Sequence, residues 1–264
     1  MPDEDRADPL APLLADSITK IDGRAAGRAV VSGSHGGIYP VWFALEAGCR
    51  AVILHDAGVG LDRAGTAGLR WAEPLGMAVA AIDHRTAPIG RADLLLARGI
   101  VSDVNAPARA AGVETGMGCA EAAALLEAAA MPGAKAPAFS EAREVLVPPG
   151  ASRRLVLIDS ASLVRPDDAG QVVVTGSHGA LFGTDPANAL RVDAAFALFN
   201  DAGGEAVSRL PLLAGRGVAA ATVAAATRPT RVVVAAARPD CTRSAAADTA
   251  SRTAVQGVIW GHVG

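Results

Sequence analysis

Twice in this chain a run of valines leads straight into Gly-Ser-His-Gly: "VVSGSHGGIYP" over residues 30–40 and "VVVTGSHGALF" over 172–182. A β-branched run that ends in a glycine-rich turn reads as a strand about to enter a helix, and its recurrence asks for a repeated unit. The match extends beyond the turn. Asp16-Ser17 returns as Asp159-Ser160, Gly27 as Gly170, and Gly33-Ser34-His35-Gly36 as Gly176-Ser177-His178-Gly179, all 143 positions apart. Farther on, "AVILHDAGVG" (51–60) pairs with "AFALFNDAGG" (195–204), and "GMAVAAI" (76–82) with "GVAAATV" (217–223). Matches that keep the same order point to an internal duplication.

Each copy carries the same coarse pattern. In the first, residues 28–32, 50–55 and 77–82 are short apolar runs, while 38–48 and 62–75 have helical spacing. The runs are apolar on both faces, as parallel strands covered by helices are. The expected fold is therefore α/β, with two duplicated Rossmann-like βαβαβ halves in three layers, related by a pseudo-two-fold. The boundaries follow: a flexible N-terminus over 1–15, a first repeat over 16–118, a helix and linker over 119–140, a second repeat over 141–227 and a divergent tail over 228–264. In the first copy "LARGIVSDVNAPARAAG" reads as a turn and helix. The tail, rich in Ala, Arg and Thr, has no counterpart to it, which fits drift or a shifted reading frame.

Composition narrows the function classes. Hydrophobic residues make up 51% of the chain but aromatics only 3%, so the core is built from small side chains suited to close helix-on-sheet packing. The net charge of −3 comes from dispersed signs, without the basic stripe that nucleic-acid binding requires. There is no secretory leader pattern and no apolar run of about 18 residues. Cys49, Cys119 and Cys241 are too few and too scattered for a disulfide framework or a cysteine zinc site. The expectation is a cytoplasmic protein acting on a small molecule, with a homo-oligomer as an open partner and no nucleic acid or membrane.

Ligands of open α/β sheets bind at the carboxyl ends of the strands, where glycine-rich turns aim backbone N–H groups outward. Gly33, Gly36, Gly37, Gly176 and Gly179 fall there, as do Gly58 and Gly203 after the next strand. His35, His55, His84 and His178 also lie at predicted strand ends, on one face. Three chemistries fit. In the first, His35 and His178 are acid–base groups, Ser34 and Ser177 are nucleophiles or substrate donors, and Asp56 and Asp201 orient the imidazoles. The paired histidine and serine would come from opposite repeats, the turns would stabilise developing negative charge, and His84 would contact the ligand. The second is a phosphate or dinucleotide site, as in a phosphorylase, with Asp56 twenty residues after Gly36. The third is a cation held by His35, His55, Asp56 and His84. The first is the reading adopted: a hydrolase of amide or ester type with no metal and no redox cofactor. A non-catalytic ligand-binding protein is the remaining alternative.

On "GSHGG", "HDAGVG", "DHRTAPIG" and the paired "GSHG" and "NDAGG", the chain resembles a family of uncharacterised bacterial proteins with the same duplication. That resemblance covers the chain to about residue 227 and implies no particular activity. The chain departs from the family pattern with His55 where Asn is usual, with Arg91 where an acidic residue tends to follow Ile-Gly, and in its tail.

Overall fold

The computed structural model describes residues 11–183, 185–204 and 206–224, with the backbone of 232–235. Apart from those four residues, the divergent tail lies outside the described residues. The chain divides into two compact units, 1–57 with 65–138 and 58–64 with 139–264. The protein is α/β, and each unit is built on its own mixed sheet. Among the described residues no helix is long and apolar enough to cross a membrane.

The first unit holds β1 (Leu13–Ala15), β2 (Ala29–His35), β3 (Ala51–His55), β4 (Ala78–Ile82) and β5 (Val101–Val104), side by side in that order. β1 to β4 run parallel, and β5 runs antiparallel to β4. Helices α1 (Ile38–Glu46) and α2 (Ala67–Ala72) form the crossovers from β2 to β3 and from β3 to β4. Alternation along the strands sorts the core into two layers. Val30, Val52, Leu54, Val79 and Ala81 pack with Val41, Ala44, Leu45 and Leu69 on the α1–α2 side. Val31, Ile53, Ala80 and Ile82 face the other way. They meet Leu95 of α3 (Ala92–Arg98), Ala108 of α4 (Ala106–Ala110) and Leu126 of α5 (Cys119–Leu126).

Two expectations for this unit need correction. Leu13–Ala15, inside the stretch read as a flexible arm, pair with Val30–Ser32 as β1. The segment read as a turn and helix also contains β5, because the β-branched run after Gly99 pairs with the otherwise open edge of β4.

The second unit places β6 (Arg143–Leu146), β7 (Leu155–Ile158), β8 (Val172–His178), β9 (Phe196–Asn200), β10 (Ala219–Val223) and β11 (Val232–Ala235) in consecutive order. β7 to β10 are parallel, with an antiparallel strand at each edge. Leu210 and Leu213 of α6 (Arg209–Gly215) pack on Val156, Val173, Ala197, Phe199 and Ala220. Among the described residues, the expected helix after the second Gly-Ser-His-Gly is absent. Gly183 takes a left-handed φ of 66° and Pro186 lacks an N–H, so the chain forms only a 3-10 turn over Pro186–Ala189.

Both sheets keep sequential strand order. A dinucleotide-binding sheet reverses its order at a switch point and binds its ligand in the crevice that results; the described strands contain no such reversal.

Hydrogen bonds at matching positions recur in both units. Ile18 N–H donates to Ser34 Oγ and Ala161 N–H to Ser177 Oγ, each at 2.9 Å. Gly36 N–H donates to the His55 carbonyl and Gly179 N–H to that of Asn200, each at 2.8 Å. Asp56 N–H reaches Ile82 O and Asp201 N–H reaches Val223 O.

Gly33 lies beneath the loop that follows β4. A Cβ there would sit 2.6 Å from Asp16 O, 2.7 Å from Arg91 N and 2.8 Å from Gly90 C, all backbone atoms. The Gly33 carbonyl also accepts the Gly90 N–H at 2.8 Å. Gly33→Ala is therefore expected to destabilise the protein by about 2 kcal/mol through overpacking, measurable as a lowered urea midpoint.

Candidate functional site

The side chains at the strand ends differ in what they bond. Ser34 is buried and its oxygen accepts from the Ile18 backbone; Ser177 does the same for Ala161. Their own N–H groups donate to Ser32 Oγ and Thr175 Oγ1. These hydroxyls pin the segment after the opening strand to the end of the next one. The glycine-rich turns are likewise engaged: Gly36 and Gly179 bond the adjacent strand end, and Gly37 N–H donates to His35 Nδ1 at 3.1 Å. Gly176 lies within β8, and Asp201 Oδ1 accepts from Gly203 N–H at 3.1 Å. Gly58 has φ +71°, and a Cβ on it would lie 2.7 Å from Gly203 Cα in the same unit.

The four histidines separate into different environments. His35 and His178 end β2 and β8, in register with His55 and Asn200. His55 is fully buried, and both ring nitrogens are used: Nδ1 accepts Ala57 N–H at 3.0 Å and Nε2–H donates to Ala87 O at 3.0 Å. In the second unit Asn200 Oδ1 takes the N–H of Ala202 at 2.7 Å in the same way. Ala57 and Ala202 both take left-handed φ, near 50°. Burial is the main force lowering the pKa of both His35 and His55 to about 4, helped at His35 by the neighbouring His55 and opposed at His55 by Asp56. Both are neutral at pH 7, and His55 has no nitrogen left for a cation.

His84 differs. It lies two residues beyond β4, after Asp83, and its Nδ1 lies 3.0 Å from Asp56 Oδ1, which also accepts the His84 backbone N–H at 3.1 Å. Asp56 is buried at the end of β3, and its Oδ2 accepts the Ser102 hydroxyl at 3.1 Å. The His84 side chain keeps 26% of its surface exposed, and its Nε2 has no hydrogen-bond partner among the described residues. The Asp56 carboxylate holds the imidazole above its usual pKa, against partial desolvation. A buried carboxylate thus fixes one ring nitrogen while the other opens outward, the arrangement that prepares a histidine for proton transfer.

Ser102 is a site residue that the turn-and-helix pattern of its segment conceals in the sequence. The Ile-Val pair ahead of it was the available signal for a strand. Since β5 is antiparallel to β4, its first residues lie beside the carboxyl end of β4, which brings Ser102 to Asp56. Among the described residues, Asp56, Asp83 and His84 form the one group that could hold a cation, with ligand atoms within 4.8 Å of one another. Asp83, however, already accepts Arg85 Nε through both carboxylate oxygens, at 2.9 and 3.1 Å.

No protein-family model, no curated protein and no solved structure matches the chain.

Proposed function

We propose that the protein is a hydrolase of ester or amide type for a small polar molecule, with His84 as its general acid–base group. We further propose that both units descend from one duplicated βαβαβ unit, the origin that best accounts for their matching hydrogen bonds.

The observation that carries the catalytic reading is the Asp56–His84 pair. Asp56 accepts from Nδ1–H, which leaves the Nε2 lone pair facing outward. Nε2 would take a proton from an attacking water, Asp56 would stabilise the imidazolium so formed, and Nε2–H would return the proton to the leaving oxygen or nitrogen. Ser102 holds the second carboxylate oxygen and is a positioning residue. His35, with its pKa depressed to about 4, is the weaker base.

The test is a panel of small esters and amides assayed with the wild type and His84→Ala. Turnover by the wild type that falls about 10²–10⁴-fold in a variant with unchanged thermal stability is the expected result. Equal turnover by the two proteins, or none by the wild type, overturns the assignment.

A further inference from the structure

Arg209 is a buried cation with no carboxylate beside it. It opens α6, is only 2% exposed, and forms no ion pair among the described residues. Nε–H donates to Ala180 O at 3.0 Å, while Nη1 donates to the carbonyls of Asn188 and Ala189, both at 2.7 Å. The rings of Phe182 and Phe199 face the guanidinium, with centroids 5.5 and 5.4 Å from its central carbon. Carbonyl dipoles and ring faces reduce the cost of burying the charge without neutralising it. Nη2 has no hydrogen bond among the described residues, and it is not among the sealed atoms that lack one.

The equivalent position in the first unit shows how unusual this residue is. Arg209 N–H donates to Gly179 O just as Gly68 N–H donates to Gly36 O. At Gly68 even a Cβ would lie 2.4 Å from Val41 Cγ2 and 2.5 Å from Gly37 O, because α1 fills that space. Among the described residues the second unit has no helix there, and a guanidinium enters instead. A second unused polar group lies close by in the fold. Thr222, directly opposite Phe199 on the neighbouring strand, has a buried hydroxyl with no hydrogen bond among the described residues.

We propose that Arg209 Nη2 is the anchor of an oxyanion site, which takes a carboxylate or phosphate group of a small ligand beside the Phe182 and Phe199 rings. Nε–H and both Nη1–H groups hold the guanidinium in place, and the two N–H groups of Nη2 remain to donate charge-assisted hydrogen bonds to an anion. This site lies in the second unit and does not depend on the role of His84.

Titration of the full-length protein with inorganic phosphate and with acetate, followed by the backbone amide NMR signals of Ala180 and Asn188, whose carbonyls hold the guanidinium, tests the proposal. Saturable shifts at millimolar anion are expected, with whichever anion binds tighter naming the ligand group. In Arg209→Lys, which keeps the charge but loses the fork, the affinity should weaken about tenfold. Absence of a saturable shift with either anion in the wild type overturns the proposal even if the variant fails to fold. Undiminished binding by a folded Arg209→Lys overturns it as well.

Discussion

Lowering the pH from about 6.5 to about 4 should cost this protein on the order of 3 kcal/mol of stability through His55 alone, and His55→Asn should remove most of that loss. The sign follows from the proton balance. His55 is held to about 4 in the folded chain and returns to about 6.5 when unfolded, so between those values the unfolded state binds more protons and acid favours it. Stability is fully kept above the unfolded value and falls as pH drops toward the folded one. Asn is the informative replacement because the second unit already uses it: Asn200 Oδ1 accepts Ala202 N–H as His55 Nδ1 accepts that of Ala57. The variant should lose about 1 kcal/mol at pH 7, since Asn does not replace the bond to Ala87 O; Asn200 Nδ2 is itself buried without a partner among the described residues. Urea unfolding at pH 7, 5.5 and 4.5 would show the two stability curves converging and then crossing. Parallel curves would mean that another group titrates.

The same pair of residues shows how far the sequence could be read. Strands β2 to β4 were legible because parallel strands buried on both faces leave unbroken apolar runs bounded by glycine, and the placing of Gly36 and His35 at a strand end followed directly. What those residues do there was not legible. The Ser34 hydroxyl meets a backbone N–H sixteen positions earlier, and Gly33 is required by a loop that returns from residues 90–91. Both are long-range demands that leave no periodic trace. The recurrence of Asp-Ser and Gly-Ser-His-Gly at one offset held a clue, since the first motif precedes the residue that the second one caps. The similarity of the two stretches also concealed real differences. Gly68 and Arg209 occupy matching backbone positions with opposite consequences, one admitting a helix and the other taking the space where that helix would lie.

The clustering of histidines at strand ends was likewise visible, yet their separation into a buried, fully bonded residue and an exposed, carboxylate-oriented one depends on tertiary contacts. Asp56→Asn tests that separation most sharply. An amide at this position cannot stabilise an imidazolium, and by donating to Nδ1 it would favour the wrong tautomer, so turnover dependent on His84 should fall about 10²–10⁴-fold. The pH dependence should change in a way that structural damage would not mimic. In the wild type, activity should rise with pH as His84 loses its proton, with the inflection above the ordinary histidine value because Asp56 favours the charged ring. Without the carboxylate that inflection should move down, and the NMR titration of the His84 ring should move with it. Ser102→Ala leaves Asp56 charged but loosens one oxygen, so it should give a smaller loss with nearly the wild-type inflection. Should the His84 titration stay where it was in Asp56→Asn, the buried carboxylate would not be what tunes this histidine, and the ion pair at the end of β3 and β4 would be a structural tie between two strands.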